Sequence, residues 1–239
     1  GASWTDIPAP TQDLDGKKTS CVRPGCSLHL HAVLAIRNLG HVFASTAPGI
    51  MMGVGSMGDR LRPYGECDTF ISTDAGLSWR MVARGPHKHV FADQGGLLVM
   101  AADAPSIDVV QYSFDYGTTW TTLALPEAIE PVVLTSVPDG TALKILLLGG
   151  RRAKTAHERY ASMFIDFAVL SKRKCAQADF ERFYPATPHG SCVFGRRQWY
   201  LRRKAQADCF VRDKFHEPQG HDEACACTPA DYELSLIHI

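Results

Sequence analysis

The sequence predicts an all-β fold, and two observations predict it. The octapeptides at residues 72–79 and 113–120 both read Ser-x-Asp-x-Gly-x-x-Trp. Short apolar runs of strand length, separated by glycine and proline turns, fill the chain up to about residue 167. The octapeptide recurs after about 40 residues, and a recurrence of that length with an aromatic and turn signature is typical of β-propeller blades, each a sheet of four antiparallel strands.

The octapeptide has the chemistry of a hairpin turn. Its Asp can accept backbone N–H bonds across its own turn, its Gly supplies a positive φ, and its Trp covers the blade with a large apolar surface. The pattern resembles the Asp-box, a structural hairpin of several propeller families. It therefore predicts structural rather than catalytic residues, namely Ser72, Asp74, Gly76, Trp79, Ser113, Asp115, Gly117 and Trp120.

The predicted strands fall into three units in chain order. The first unit comprises residues 28–34, 50–54, 69–72 and 79–83, and the second comprises residues 89–92, 97–101, 109–113 and 120–123. A third unit has only residues 132–135, 144–148 and 163–167 and no Asp-box of its own. Gly1-Ala2-Ser3-Trp4 matches the second half of an octapeptide, so the chain is expected to begin inside a blade. Residues 1–170 therefore predict blades of a larger ring, since they are too few to close one.

Five of the eight cysteines lie in a charged segment that follows the strand-rich part, over residues 171–233. Those from Cys175 to Cys225 are almost evenly spaced and form no C-x₂-C pair, which favours a disulfide framework over a zinc site, although Cys225-Ala226-Cys227 keeps the zinc alternative open. Disulfides would indicate an oxidising compartment. A segment of this size and polarity needs such cross-links, because it cannot bury enough apolar surface unaided.

Charge and hydropathy limit the possible partners. Lys plus Arg and Asp plus Glu both number 25, so no net field favours nucleic acid or an anionic membrane. No apolar run approaches the length of a membrane-spanning helix, and the first residues lack the basic start and apolar core of a signal peptide. No cofactor motif and no catalytic set are apparent.

The order of several independent motifs resembles one family over almost the whole chain. Cys26-Ser-Leu-His-Leu-His31 precedes the first octapeptide, and Asp93-Gln-Gly-Gly96 lies between the two. Further on come Cys192-Val-Phe-Gly195, Arg202-Arg-Lys204 and Cys225-Ala-Cys-Thr228. This order resembles the luminal domain of the sortilin family, in particular its fungal vacuolar sorting receptors.

The resemblance implies a ten-bladed propeller followed by small cysteine-rich modules, of which this chain supplies the last blades and the first module. It also implies a non-catalytic type I membrane receptor in the lumen of the Golgi and endosome, with a membrane helix outside this chain. Protein or peptide cargo, namely vacuolar hydrolase precursors, would be its partner, together with the rest of the propeller and a second cysteine-rich module. No cargo-contacting residue carries over.

The resemblance further implies a pairing of the cysteines. It pairs Cys21 with Cys26, Cys175 with Cys209 and Cys192 with Cys225, and it leaves Cys67 and Cys227 as free thiols here. Where the family pattern continues with a cysteine after Asp231-Tyr232-Glu233, this chain ends in Leu234-Ser-Leu-Ile-His-Ile239. We therefore expect residues 234–239 to lie outside the family pattern.

Three further groups have both a structural and a functional interpretation. The histidines at 29, 31, 87 and 89 are expected to be packed or solvated strand residues, with pH sensing as the alternative. The basic cluster Arg196, Arg197, Arg202, Arg203 and Lys204 is expected to be a solvated or interface-facing surface whose arginines pair with propeller carboxylates, with a site for acidic propeptides as the alternative. Asp93 is expected to serve its own hairpin turn.

Two other functions remain open from the residues alone. A sialidase-type glycoside hydrolase would also carry Asp-boxes on a propeller, but it needs paired acidic and tyrosine groups and an arginine cluster, and no such set is identifiable. An extracellular adhesion module is the third possibility.

Overall fold

A computed structural model describes residues 5–21, 25–32, 45–137, 140–151, 160–186, 190–212 and 219–227. The predictions for Gly1–Trp4, for residues 33–34 and for residues 231–239 lie outside this part of the chain.

The described residues contain no α-helix and four short 3-10 helices, at Tyr64–Glu66, Asp93–Gly95, Phe167–Leu170 and Gln177–Asp179. The strands are β1 (Ile7–Pro8), β2 (Ser27–Leu30), β3 (Met51–Gly58), β4 (Asp68–Ser72), β5 (Arg80–Ala83), β6 (His87–Ala92), β7 (Leu97–Ala102), β8 (Ile107–Ser113), β9 (Thr121–Thr135), β10 (Lys144–Gly150), β11 (Tyr160–Asp166), β12 (Phe180–Phe183), β13 (Arg196–Arg203) and β14 (His221–Ala224).

Strands β1 to β5 form the first sheet, in that order and with antiparallel neighbours. Strands β2 to β5 are the four-stranded meander of one blade, and the two-residue β1 adds to its β2 edge. Both faces of the meander are buried, since Phe70 and Ile71 are adjacent on β4 and neither is exposed by more than 1%. Blades that pack on both sides require this pattern.

A six-stranded antiparallel sheet contains the second blade and the third unit, in the order β6 to β11. Its 15-residue strand β9 belongs to both, because Thr121–Ala124 pair with β8 and Glu130–Thr135 pair with β10. The sequence predicted two separate strands here, so the fusion into one is a correction. A register shift between Leu148 and Gly149 lies where β9 carries Pro131, which has no N–H to donate.

Two apolar cores lie between successive units. One contains Met52 and Ile71 of the first blade together with Leu98 and Met100 of the second. The other contains Val99 and Val110 of the second blade and Ile145 and Leu147 of the third unit. The Arg80 guanidinium also donates to the Tyr116 carbonyl oxygen at 2.9 Å, which joins the first two blades at one rim. The predicted all-β partial propeller is confirmed.

The cysteine-rich segment, defined here as the described residues from Ser171 to Cys227, carries a third sheet of β12, β13 and β14. The strands predicted from the sequence end at residue 167, and the structure adds β13, which contains Arg196, Arg197, Arg202 and Arg203 of the basic cluster. Trp199 of β13 stacks on His221 of β14 at 4.1 Å between ring centroids, and the Arg182 guanidinium of β12 lies 4.4 Å from the Trp199 ring. Aromatic stacking thus substitutes for a core of aliphatic residues.

Candidate functional site: the blade rim in contact with the cysteine-rich segment

The two Asp-box loops, residues 72–79 and 113–120, are built in the same way. In the first, the Asp74 carboxylate accepts from the Ser78 backbone N–H at 2.9 Å and from the Ser72 hydroxyl at 2.7 Å. In the second, Asp115 accepts from the Thr119 backbone N–H at 2.8 Å and from the Ser113 hydroxyl at 2.7 Å. These polar groups therefore serve the turns themselves.

The electrostatics of both aspartates follow from these bonds. Partial burial alone would raise the pKa of each carboxyl, but the hydrogen bonds from Ser78 and Ser72, or from Thr119 and Ser113, outweigh it, so that both pKa values lie below the usual Asp range. Neither carboxylate has the raised pKa of a general acid. The geometry gives the aspartates a turn-forming role.

Each Asp-box turn has two consecutive residues in the left-handed region. Gly76 (φ 91°) follows Ala75 (φ 63°), and Gly117 (φ 73°) follows Tyr116 (φ 56°). The sequence pattern predicted the positive φ of the glycines and missed that of the preceding residue. In the second loop the contacts of Tyr116 offset this strain, because the residue is only 3% exposed and its hydroxyl donates to the Arg203 carbonyl oxygen at 2.5 Å.

The Asp-box tryptophan of the first blade covers the face of that blade. Trp79 is buried beside Phe70 and Met81, and its indole N–H donates to the Gly76 carbonyl oxygen at 3.0 Å. Trp120 is half-buried and packs against the core between the first two blades. Both tryptophans thus pack against blade cores, the role that the pattern predicts.

Arg203 of the cysteine-rich segment is inserted into the rim of the second blade. The residue is 3% exposed, and its guanidinium donates to the carbonyl oxygens of Gly96, at 2.8 Å, and of Phe114. It also donates to Ala207 within its own segment. A buried cation surrounded by backbone carbonyl oxygens is held by charge-assisted hydrogen bonds, which are the strong class.

Arg202 makes the equivalent contact with the first blade. Its guanidinium donates to the carbonyl oxygens of Thr73, at 2.8 Å, and of Pro48, at 3.1 Å. It also pairs with Glu181 of its own segment at 2.9 Å. We expected an interface-facing surface whose arginines pair with propeller carboxylates. Arg202 and Arg203 do face the propeller, but the expectation of carboxylate partners was wrong for them, because the turns of the rim present carbonyl oxygens instead.

Asp93 is the reciprocal contact from the blade side. Its carboxylate accepts from the backbone N–H groups of Val211 at 3.0 Å and Arg212 at 3.1 Å. Burial raises the pKa of this carboxyl, although the two amide bonds and the nearby Arg203 oppose that shift. The expectation that Asp93 serves its own turn was wrong for the side chain, which binds the far end of the chain instead.

Phe210 adds an apolar anchor to these polar contacts. Its ring is fully buried, and its centroid lies 5.6 Å from that of Phe114. Phe114 in turn lies 6.3 Å from Phe167, at the end of the third unit. We name the set of Asp93, Tyr116, Arg202, Arg203 and Phe210 the clasp, since it joins the cysteine-rich segment to the blades.

The cysteines of the chain form three disulfides. They are Cys21–Cys26, Cys175–Cys209 and Cys192–Cys225, the pairs that the family resemblance implies. Asp179 lies within 4.8 Å of the sulfur atoms of Cys175 and Cys209, but a disulfide sulfur is not the thiolate that zinc needs. Buried Cys67 and exposed Cys227 are outside any disulfide.

The other members of the basic cluster contact the cysteine-rich segment itself. Arg196 pairs with Asp222 and Arg197 with Glu223, while the Lys204 ammonium donates to the Ala178 carbonyl oxygen. Arg202 and Arg203 are committed to the clasp, so the five residues do not form one free basic patch for an acidic propeptide.

The four histidines occupy different environments. The His29 imidazole bonds to Ser27 and Gly58, and His31 lies 3.5 Å from the Cys67 sulfur. His87 and His89 are buried on β6. Burial lowers the pKa of His87, whose Nδ1 lies 3.0 Å from the Gly85 carbonyl oxygen. Packing therefore accounts for them, and the buried position of His87 makes its protonation costly.

A family model described as "Sortilin, neurotensin receptor 3" matches residues 1–134, and the C-terminal model of the same name matches residues 136–237. The chain belongs to the sortilin family. The six-stranded sheet continues to Asp166, beyond the point where the two models meet.

The chain is similar to curated proteins of two fungi. It is 46% identical over 242 residues to the vacuolar protein sorting/targeting protein 10 of Mycosarcoma maydis, a match over 99% of this chain and 16% of that protein. It is 43% identical over 213 residues to the protein of that name from Aspergillus flavus, covering 87% and 14% of the two chains. The chain thus spans about a sixth of the length of these relatives. Within the described ranges, none of the helices has the length and apolar character to span a membrane.

Proposed function

We propose that this chain is a luminal, non-catalytic part of a vacuolar sorting receptor, comprising its last propeller blades (to residue 170) and its first cysteine-rich module (171–233). The observation that carries the proposal is the family match, which covers both the strand-rich part and the cysteine-rich segment. The printed name of the relatives, vacuolar protein sorting/targeting, supplies the pathway.

In this proposal the receptor binds precursors of vacuolar hydrolases in the Golgi lumen and releases them in endosomes. Its membrane helix and second cysteine-rich module lie in parts of the receptor outside this chain. The role of the present residues is to hold the end of the propeller in shape through the clasp, because Arg202 contacts the first blade and Arg203 the second. A shape-holding role needs no cofactor and no catalytic residue.

The test is a complementation assay with the complete receptor in a fungal strain that lacks its own. We expect wild-type receptor to lower the secreted fraction of vacuolar hydrolases. Arg203→Ala should raise that fraction again, while the matched surface variant Arg196→Ala should not, since Arg196 pairs with Asp222 at the exposed end of β13. The proposal is refuted if the wild-type receptor reaches the Golgi and the secreted fraction of vacuolar hydrolases stays as high as in the strain without a receptor.

The sialidase alternative has a separate test. A sialidase-type enzyme would share the Asp-boxes with this chain. The carboxylates of Asp74 and Asp115, however, are hydrogen-bonded to their own turns. Turnover of a sialoside by the complete luminal region would overturn the receptor proposal. We expect none.

A further inference from the structure

The cysteine-rich segment places one arginine in an equivalent cleft of each of the first two blades. Arg202 donates to a carbonyl oxygen in the loop before β3 and to that of Thr73, the residue directly after β4. Arg203 donates to the carbonyl oxygen of Gly96, directly before β7, and to that of Phe114, directly after β8. In both blades, backbone acceptors of the rim therefore hold a cation.

The third unit has an open pocket at the corresponding place, which we name the third cleft. It lies between the loop before β10, the end of β11 and the cysteine-rich segment, and it is lined by residues 141–144, Asp166, Ala168, Ser171 and Arg212. Its volume of about 600 Å³ falls in the range of ligand-binding pockets. The third cleft is therefore large enough to take a side chain from another segment.

The end of β11 resembles the ends of the two Asp-box strands, which supports the correspondence. Asp166 ends β11 where Ser72 ends β4 and Ser113 ends β8. Its Oδ1 accepts from the Ala168 N–H at 2.9 Å, just as each serine Oγ accepts from the N–H two residues further on, at 3.3 Å. The three clefts thus share the strand end that forms one wall.

The third cleft differs from the other two in the groups that it presents. The carbonyl oxygen of Leu143, directly before β10, already accepts from the Phe167 N–H at 2.9 Å. Two cations, Lys144 of β10 and Arg212 of the cysteine-rich segment, line the pocket instead. An ammonium and a guanidinium can only donate hydrogen bonds. The third cleft is therefore suited to an anion, whereas the first two hold a cation.

The charges in the wall leave the third cleft with one excess positive charge. Lys144 and Arg212 carry one positive charge each, and Asp166 is the carboxylate among the lining residues. Asp166 already has partners, namely the Ala168 N–H and the Lys144 Nζ at 3.4 Å. The Arg212 guanidinium lies 5.1 Å from the Phe210 ring and forms no ion pair with a carboxylate of the described residues. A second carboxylate would gain charge-assisted hydrogen bonds from both cations.

We propose that the third cleft binds the carboxylate of a peptide. The carboxylate lies between the Lys144 ammonium and the Arg212 guanidinium, and its aliphatic stem lies against Ala142, Leu143 and Ala168. An acidic side chain or a chain terminus has both parts, whereas an inorganic anion has no stem. The peptide belongs to a cargo protein or to another part of the receptor, and the cargo source rests on the proposed function.

Carbodiimide cross-linking of the complete luminal region tests this proposal. The reagent joins an amine to a carboxylate in contact with it, as an amide and with loss of water, so Lys144 reports which carboxylate occupies the third cleft. One arm contains the probe acetyl-Ala-Glu-Ala-amide and the other contains no peptide, and mass spectrometry identifies the product at Lys144. An amide to the probe indicates a site open to cargo, whereas an amide without probe to a receptor carboxylate other than Asp166 indicates an internal ligand. Either product supports the carboxylate site.

A matched pair of variants shows whether the product depends on the third cleft. Arg212→Gln removes one of the two cations but keeps the reactive Lys144 and the backbone N–H that donates to Asp93. The yield of the product should fall about tenfold, since a hydrogen bond to a charged group is lost. Arg196→Gln is the control and should leave the yield unchanged, because Arg196 pairs with Asp222.

Two results overturn the carboxylate site. They are an amide from Lys144 to Asp166 alone in both arms, and a yield that Arg212→Gln does not lower. Because no sorting is measured, a failed cross-link together with successful complementation removes this inference and leaves the proposed function intact.

Discussion

The blades and the cysteine-rich segment are stabilised by different means. The blades bury continuous apolar surface between sheets, as Leu98 and Ile145 illustrate. The cysteine-rich segment has few buried apolar residues, and Phe210 and Val211 are buried where the chain contacts the blades. It is held by two disulfides and by the clasp. The segment therefore takes part of its core from the propeller and is expected to be stable only when docked.

The largest expected effect comes from the disulfide next to the clasp. Cys175→Ser combined with Cys209→Ser opens a loop of 34 residues and should cost about 4 kcal/mol of unfolding free energy in the chain-entropy picture. Limited proteolysis with mass spectrometry should then show cleavage in the cysteine-rich segment while the blades stay intact.

The control is the short disulfide at the other end of the chain. Opening Cys21–Cys26, with a separation of 5 residues, should cost only about 2 kcal/mol and should leave the cysteine-rich segment resistant. If the blades and the cysteine-rich segment are cleaved together in the variant that combines Cys175→Ser with Cys209→Ser, the two regions are not stabilised by different means.

Arg203→Ala is the next strongest test. It leaves the carbonyl oxygens of Gly96 and Phe114 without their donor, and we expect a loss of about 3 kcal/mol in the stability of the docked segment. Urea unfolding followed by the fluorescence of Trp199 measures it. Arg196→Ala should cost less than about 1 kcal/mol, because its ion pair is exposed. Similar losses of stability for both variants would show that Arg203 does not help to join the cysteine-rich segment to the blades.

The two Asp-boxes should respond unequally to the same substitution. Asp74→Ala and Asp115→Ala each leave backbone and hydroxyl donors of the turn unpaired, at about 2 kcal/mol. Asp115→Ala should in addition loosen the cysteine-rich segment, because Tyr116 of that loop binds the Arg203 carbonyl oxygen. Thermal unfolding and proteolysis of both variants decide the point; equal proteolytic sensitivity of the segment would count against the role of Tyr116.

The smallest expected effect is the pH dependence from His87. Its pKa is lowered by burial, so below the unfolded value of about 6.5 the unfolded state takes up a proton that the folded state resists. Stability should fall on acidification by at most about 1.4 kcal/mol per pH unit until the folded pKa is reached. His87→Gln should reduce the difference in melting temperature between pH 7.5 and 5.5. An unchanged difference in His87→Gln would exclude this contribution.

The local features of the fold could be predicted, and the contacts between the blades and the cysteine-rich segment could not. The Asp-box turns were predictable because Ser, Asp and Gly act within one octapeptide. The strand β13 was missed because its arginines hide the apolar alternation that marks a half-buried strand. The role of Asp93 was missed because its partners Val211 and Arg212 are far away in sequence, and a turn carboxylate looks the same whichever amide it accepts from.

Hydrogen–deuterium exchange at the amides of Val211 and Arg212 in the complete luminal region tests the clasp most directly. Both amides donate to Asp93, so we expect strong protection in the wild type and fast exchange in Asp93→Ala, with the amides of β7 unchanged. Equal protection of the two amides in both proteins would contradict the clasp.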